Sequence, residues 1–178
     1  MKKILPFLLM AFVGLFAYSC DDKDDVVVQG QDNDTFSRMK DVTGSFTSTN
    51  TYAFTQGISI QNTDVVLVYR WAGNAWQQIP KTVHLANSGT MPTGRVFDYN
   101  FVFDSQNVQI RIDDQNFNLS TEITSTEISQ YLNQQKFRIV LVPADPAGKK
   151  ASVDYADYNA VVKYYNLNES KVVNTKAN

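Results

Sequence analysis

Apolar and polar residues alternate along residues 97–103, a pattern that predicts a half-buried β-strand. The apolar face carries the rings of Phe97, Tyr99, Phe101 and Phe103. A second alternating segment begins at Val108, after a loop of residues 104–107. Pairing Phe103 with Val108 across this loop puts the apolar residues of both strands on one face. We therefore expect a β-hairpin with this register.

The continuous apolar run of residues 65–69 predicts a strand that is covered on both faces, and we expect it to be the central strand. Residues 137–142 predict another buried strand, which ends before Pro143. Residues 42–60 are dense in Thr, Ser and aromatic residues, which favours two short strands. Thr49 and Asn50 are predicted to form the turn between them.

Gly73 and Asn74 suit a two-residue hairpin turn after the first apolar run. This turn places Trp71 opposite Trp76, with Tyr69 two residues back on the same face. Exposed aromatic rings bind sugars and peptides, because rigid rings give apolar contact at a low cost in entropy. Tyr69, Trp71 and Trp76 are therefore the candidate ligand-binding residues. The alternative is that the three rings pack the hairpin against the domain.

Two segments carry helical signals. Thr124 and Glu127 have the spacing of a capping box, which predicts a short helix after Thr124. Residues 154–165 place Tyr158, Val161, Val162 and Tyr165 at helical spacing. Together the elements predict a mainly β domain, an antiparallel β-sandwich with two short helices. The alternative is an α+β fold with both helices on one face of an antiparallel sheet.

The N-terminus has the three parts of a secretory signal: two lysines, an apolar run of residues 4–18, and Ser19 before Cys20. The run is shorter than the roughly 20 residues of a membrane-spanning helix, so we expect cleavage. "AYSC" resembles the end of a bacterial lipoprotein signal, whose cysteine is acylated and becomes the new N-terminus. This resemblance implies a signal peptide at residues 1–19 and lipidation of Cys20. The alternative is an ordinary signal peptide with an unmodified thiol.

An acidic run follows the cysteine and consists of Asp21, Asp22, Lys23, Asp24 and Asp25. It resembles the export signal of Bacteroidota lipoproteins that reach the outer face of the outer membrane. Under the sorting rule of enteric bacteria, Asp21 would instead retain the protein at the inner membrane. A third interpretation is a solvated spacer without a sorting role. The first two interpretations place the domain outside the cytoplasm.

The rest of the chain divides into three parts. Residues 20–35 are rich in Asp, Gln and Gly and are predicted to form an acidic flexible tether. Residues 36–170 are predicted to be a single β-rich domain, and residues 171–178 a loosely held tail.

Composition excludes several classes of function. The net charge is −2 and the body of the chain has no Lys/Arg cluster, so nucleic acid is not an expected partner. One cysteine and one histidine exclude an intrachain disulfide and a zinc site built from these residues. We expect His84 to be non-catalytic and residues 113–116 to form a plain turn rather than a Ca²⁺ loop. We predict no catalytic residue, cofactor or metal, and so no enzyme.

Five segments of the chain resemble a group of small, uncharacterised Bacteroidota cell-envelope lipoproteins. They are "DVVLVYR", "WQQIP", "FDYNFVFDSQNVQIRI", "FRIVLVPA" and "DYNAVV". The resemblance spans most of the chain after Cys20. The resemblance implies a location in the cell envelope and membership of a class of lipoproteins, but it implies no activity.

These observations predict a lipid-anchored lipoprotein of the outer membrane that faces the exterior. Its expected role is non-catalytic: binding a glycan, a peptide or an envelope protein, or a structural role in the envelope. One alternative is a fimbrial or adhesin-type subunit that assembles by strand addition. A glycan-associated hydrolase is the other, and it would require carboxylates such as Asp98 and Asp104 to converge in a cleft.

Overall fold

The computed structural model describes residues 38–61, 64–143 and 152–177, which form two packed β-sheets. Sheet 1 contains, in spatial order, Trp76–Gln78 (β4), Val65–Trp71 (β3), Gln135–Val142 (β8), Arg38–Gly44 (β1) and Val173–Lys176 (β9). Sheet 2 contains Ala53–Gly57 (β2), Asn107–Asp113 (β7), Val96–Phe103 (β6) and Lys81–His84 (β5). The neighbouring strands are antiparallel, except that β1 and β9 are parallel. The predicted β-sandwich-like fold is confirmed. The predicted signal peptide, tether and acidic run lie outside the described residues.

The β6–β7 hairpin has the predicted register, with Phe103 opposite Val108 and Tyr99 opposite Ile112. The Asp104 carboxylate accepts hydrogen bonds from the backbone N–H groups of the loop, which closes the turn. Burial decreases along the aromatic face. Tyr99 is fully buried, whereas Phe103, at the end of β6 next to the loop, is 48% exposed. The register is therefore confirmed, but it does not bury every apolar residue.

Sheet 1 is covered on both faces, which explains the continuous apolar run of β3 and the apolar residues on both faces of β8. Val68 and Ile139 face sheet 2, and Leu67 and Val140 belong to a second core on the opposite face. The prediction that β3 is the central strand is wrong. β8 occupies the centre, because the β3–β4 hairpin places the short β4 at the edge of the sheet.

The residues between β1 and β2 contain the predicted turn, a 3₁₀ turn at Ser48–Asn50. Asn50 stabilises it by accepting a hydrogen bond from the Thr47 N–H and donating one to the Ser45 carbonyl. The two strands enter different sheets, so this turn joins the two layers of the sandwich.

The two helices lie in different layers, so the α+β alternative is not the observed arrangement. Helix α1, Ser125–Glu127, continues as a π turn at Ile128–Leu132, and Leu132 packs in the core between the sheets. Helix α2, Tyr158–Tyr165, packs on the opposite face of sheet 1. It begins at Tyr158 rather than near residue 154, because the Asp157 carboxylate caps its first N–H groups. No helix in the described ranges is long and apolar enough to cross a membrane.

The predicted capping box at Thr124 is present: Thr124 Oγ1 accepts from the Glu127 N–H at 3.2 Å, and the Thr124 N–H donates to Glu127 Oε2 at 2.9 Å. The Glu127 carboxylate also accepts two hydrogen bonds from Arg95, at 2.9 and 2.8 Å. Arg95 is almost fully buried and donates further to the carbonyl oxygens of Ala86, Pro92 and Glu122. It therefore joins α1 to the loop that precedes β6.

The prediction of a loose tail at residues 171–178 is wrong for residues 173–177. β9 pairs with β1, and the Ala177 N–H donates to the Thr43 carbonyl at 2.9 Å. The Thr175 hydroxyl lies 3.1 Å from the Asp41 carbonyl oxygen and 2.7 Å from Gln56 Oε1. Thr175 thus contacts both sheets. The short polar segment carries little sign of this pairing, because its partner strand is more than 130 positions away.

Candidate functional site

The β3–β4 hairpin has the predicted two-residue turn. Gly73 has a φ of +94°, a conformation that favours glycine, and the Ala72 N–H donates to the Ala75 carbonyl at 2.9 Å. Trp71 and Trp76 are direct cross-strand partners, and their ring centroids lie 5.1 Å apart at 62°. The two indoles therefore share one face, as predicted.

Burial differs between the three predicted ligand-binding residues. Tyr69 is fully buried under α2, where its ring contacts Tyr158 and its hydroxyl donates to the Tyr155 carbonyl at 2.8 Å. Burial raises the pKa of Tyr69. Trp76 is half-buried, and Trp71 is 38% exposed. Tyr69 is therefore a core residue, and only the two tryptophans reach the surface.

Both tryptophans line a groove between the hairpin and the start of α2, with a volume of about 250 Å³. The hairpin contributes Trp71, Asn74, Ala75 and Trp76, and the helix side contributes Ala156, Asp157, Tyr158 and Asn159. We call this the tryptophan groove. It offers an exposed indole beside amide and carboxylate groups, an arrangement that can hold a ligand with one apolar face and a polar edge.

An ion cluster that the sequence analysis did not predict lies beneath Trp76. Arg138 donates two hydrogen bonds to the buried carboxylate of Asp41, at 2.6 and 3.0 Å. Lys136 contacts the same carboxylate at 2.9 Å. Burial acts to raise the pKa of Asp41, but the hydrogen bonds from Arg138 and Lys136 outweigh it and hold the pKa below its ordinary value.

The same arginine supports the floor of the tryptophan groove. Its guanidinium lies 4.4 Å from the centre of the Trp76 ring and donates to Glu169 Oε1 at 2.7 Å and to the Tyr158 hydroxyl. The Tyr158 hydroxyl in turn donates to Glu169 at 2.7 Å. Burial and the bond to Glu169 raise the pKa of Tyr158 to about 12. These contacts hold α2 and Trp76 against sheet 1 and form the floor of the groove.

The carboxylates proposed for a hydrolase do not converge. Asp98 lies within β6 opposite Asp113, whereas Asp104 lies beyond the end of β6 and binds the N–H groups of its own turn. At about 3.3 Å per residue they are roughly 20 Å apart along the strand.

Two of the four residues considered for Ca²⁺, Asp113 and Asn116, have other partners. Asp113 accepts hydrogen bonds from Arg111 and Asn100, and Asn116 bonds the backbone of residues 94 and 96. His84 lies at the end of edge strand β5 and is exposed. Within the described residues, no group of three or more His, Cys, Asp and Glu side chains could hold a metal ion.

A buried charge within an apolar run is the sequence signal that could have located the ion cluster. Arg138 interrupts the apolar residues of β8. Because an unpaired buried charge is strongly unfavourable, Arg138 indicates a buried partner.

Comparisons of the chain with protein-family models, with curated proteins and with solved structures found no match.

Proposed function

We propose that this chain is a lipid-anchored lipoprotein of the cell envelope whose β-sandwich binds a ligand in the tryptophan groove without catalysing a reaction. The observation that carries the binding role is the exposed side chain of Trp71 in the wall of the tryptophan groove. A large aromatic side chain at the surface loses apolar contact with the core. Its placement beside Asn74 and Asn159 supports a recognition role.

The non-catalytic part of the proposal rests on where the carboxylates lie. Asp157 is committed to the cap of α2, and Asp41 is buried under Lys136 and Arg138. Asp98 and Asp104 are separated along β6. General acid/base catalysis needs such groups within reach of one substrate atom.

The anchor is supported by the sequence around Cys20, which lies outside the described residues. The composition of residues 20–35, rich in Asp, Gln and Gly, suits a flexible tether between the anchor and the domain. The acidic run of residues 21–25 supports export to the outer face of the outer membrane.

The anchor is tested by intact-mass spectrometry of protein extracted from membranes. We expect an N-terminus at Cys20 that carries acyl chains, and we expect Cys20→Ser to lack this modification. A soluble form with a free Cys20 thiol would contradict the proposal. Protease treatment of intact cells tests the orientation, with alanine at the four aspartates of residues 21–25 as the comparison variant.

The binding role is tested on arrays of glycans and peptides with the full-length protein in detergent. We expect the wild type to bind at least one class, and Trp71→Ala to lose at least about tenfold in affinity for it. Phe103→Ala is the matched control, because it removes another exposed aromatic ring from a different sheet. Equal binding by Trp71→Ala and the wild type would exclude the groove.

A further inference from the structure

We propose that the tryptophan groove binds a neutral pyranose ring, stacked on the exposed face of Trp71. This inference rests on the binding role proposed above and names the class of its ligand. A pyranose has an apolar face of C–H groups and an edge of hydroxyls. The groove offers the matching pair of surfaces, an indole face and the amides of Asn74 and Asn159.

The size of the groove favours a single ring. Its volume of about 250 Å³ lies just below the roughly 300–1,000 Å³ that is typical of pockets for drug-sized ligands. Tyr158 closes its inner end, and the Tyr158 hydroxyl is already bonded to Arg138 and Glu169. Polar contacts with a ligand are therefore left to the side chains at the rim.

The charges around the groove favour a neutral ligand. Two cations already lie near the centre of the Trp76 ring, the Arg138 guanidinium at 4.4 Å and the Lys136 ammonium at 5.7 Å. A cationic ligand would therefore gain little cation–π energy from this ring. Asp41 and Glu169 balance these two cations. The carboxylates of Asp154 and Asp157 remain near the rim and disfavour an anion.

The geometry of β4 disfavours an extended peptide. The hydrogen bonds from Ala72 to Ala75 and from Ile79 to Val68 fix which residues of β4 face β3. In this ladder only Trp76 and Gln78 turn their backbone groups toward the open edge. Pro80 follows and has no N–H group, so strand addition would find few backbone partners.

The chain contains two tryptophans, and both line the groove, so intrinsic tryptophan fluorescence reports on this site alone. We would titrate the full-length protein in a polyoxyethylene detergent, because a maltoside detergent would itself present a sugar. The ligands are neutral tetrasaccharides of glucose, mannose, galactose and xylose. Oligogalacturonate, tetramethylammonium and a mixture of random hexapeptides represent the anionic, cationic and peptide classes.

We expect a saturable change in emission with at least one neutral tetrasaccharide and a weaker response to the charged ligands and peptides. Trp71→Ala should weaken sugar binding by about tenfold or more, Trp71→Phe should weaken it less, and Phe103→Ala should leave it unchanged. Asn159→Ala, which changes an exposed rim residue, should weaken it severalfold. Thermal unfolding of each variant establishes that it is folded.

The outcomes separate the two proposals. A saturable change in emission with peptides or a charged ligand, and no change with the neutral sugars, would overturn the sugar assignment. The groove would then remain a binding site. Sugar binding of equal affinity in the wild type and Trp71→Ala would show that the sugar does not stack on Trp71 and would overturn the assignment. If no ligand class gives a response, both the sugar assignment and the binding role of the groove fail.

Discussion

At the scale of single residues, the two tryptophans of the hairpin have different roles. Trp76 packs between Trp71, Tyr158 and the guanidinium of Arg138, whereas Trp71 contacts the Trp76 ring and is 38% exposed. Trp76 therefore contributes mainly to the stability of the fold, whereas the exposed part of Trp71 can contact a ligand.

We expect Trp76→Ala to lower the free energy of unfolding by about 3–4 kcal/mol, because it removes a large ring that covers Arg138 and Tyr158. Trp71→Ala should cost less, about 2 kcal/mol, since 38% of the residue is already exposed. Urea unfolding of the two variants measures both values. Equal losses would contradict the different roles assigned to the two rings.

A second prediction at this scale concerns how stability depends on pH. The pKa of Asp41 is held below its ordinary value of 3.8. A lowered pKa stabilises the folded state above the ordinary value, and this contribution is lost as the pH falls through the folded-state pKa. We therefore expect the free energy of unfolding of the wild type to fall faster than that of Asp41→Asn between about pH 4 and pH 2. Urea unfolding at a series of pH values measures this difference. Parallel curves for the two proteins would show that the Asp41 pKa is not lowered.

At the scale of elements, local patterns were predicted well. The register of β6–β7, the Gly73 turn and the capping box at Thr124 depend on residues that are close in sequence, so the sequence alone indicated them. The central position of β8 and the pairing of β9 depend on distant partners, and these were missed. The ion cluster was missed for the same reason, because Asp41 and Arg138 are 97 positions apart.

Only part of the candidate site could therefore be predicted. The shared face of Trp71 and Trp76 follows from the two-residue turn, which is local. The groove itself also needs α2, whose position on sheet 1 depends on contacts of Tyr158 with residues from three other segments. Periodicity shows which face of a helix is apolar, but not which sheet face it covers.

Arg95 joins helix α1 to the loop that precedes β6, so its replacement should destabilise both segments. Arg95→Met removes the ion pair with Glu127 and the hydrogen bonds to three backbone carbonyls, so we expect a loss of about 3–5 kcal/mol in the free energy of unfolding. Thr124→Ala removes only the cap and should cost about 1 kcal/mol. Urea unfolding compares the two variants. A loss below that of Thr124→Ala would contradict the joining role of Arg95.

At the scale of the whole molecule, β9 completes the edge of sheet 1 and also contacts sheet 2 through Thr175. Removing residues 173–178 should lower the free energy of unfolding by about 1–3 kcal/mol and expose the backbone edge of β1. We therefore expect the truncated protein to self-associate, as measured by light scattering during size-exclusion chromatography. Thr175→Val is the control, since it removes the hydroxyl contacts but keeps the strand. A truncated protein that stays monomeric and as stable as the wild type would show that β9 is dispensable.

The parallel pairing of β1 and β9 also determines how the domain responds to tension. Parallel neighbours point the start of β1 and the end of β9 toward opposite ends of the sheet. A pull between the N-terminal and C-terminal sides therefore slides the two strands past each other, and loads the hydrogen bonds between them together rather than one after another. For a domain tethered at Cys20, as proposed, force on the C-terminal end would act in shear, the direction in which a β-ladder resists rupture most strongly.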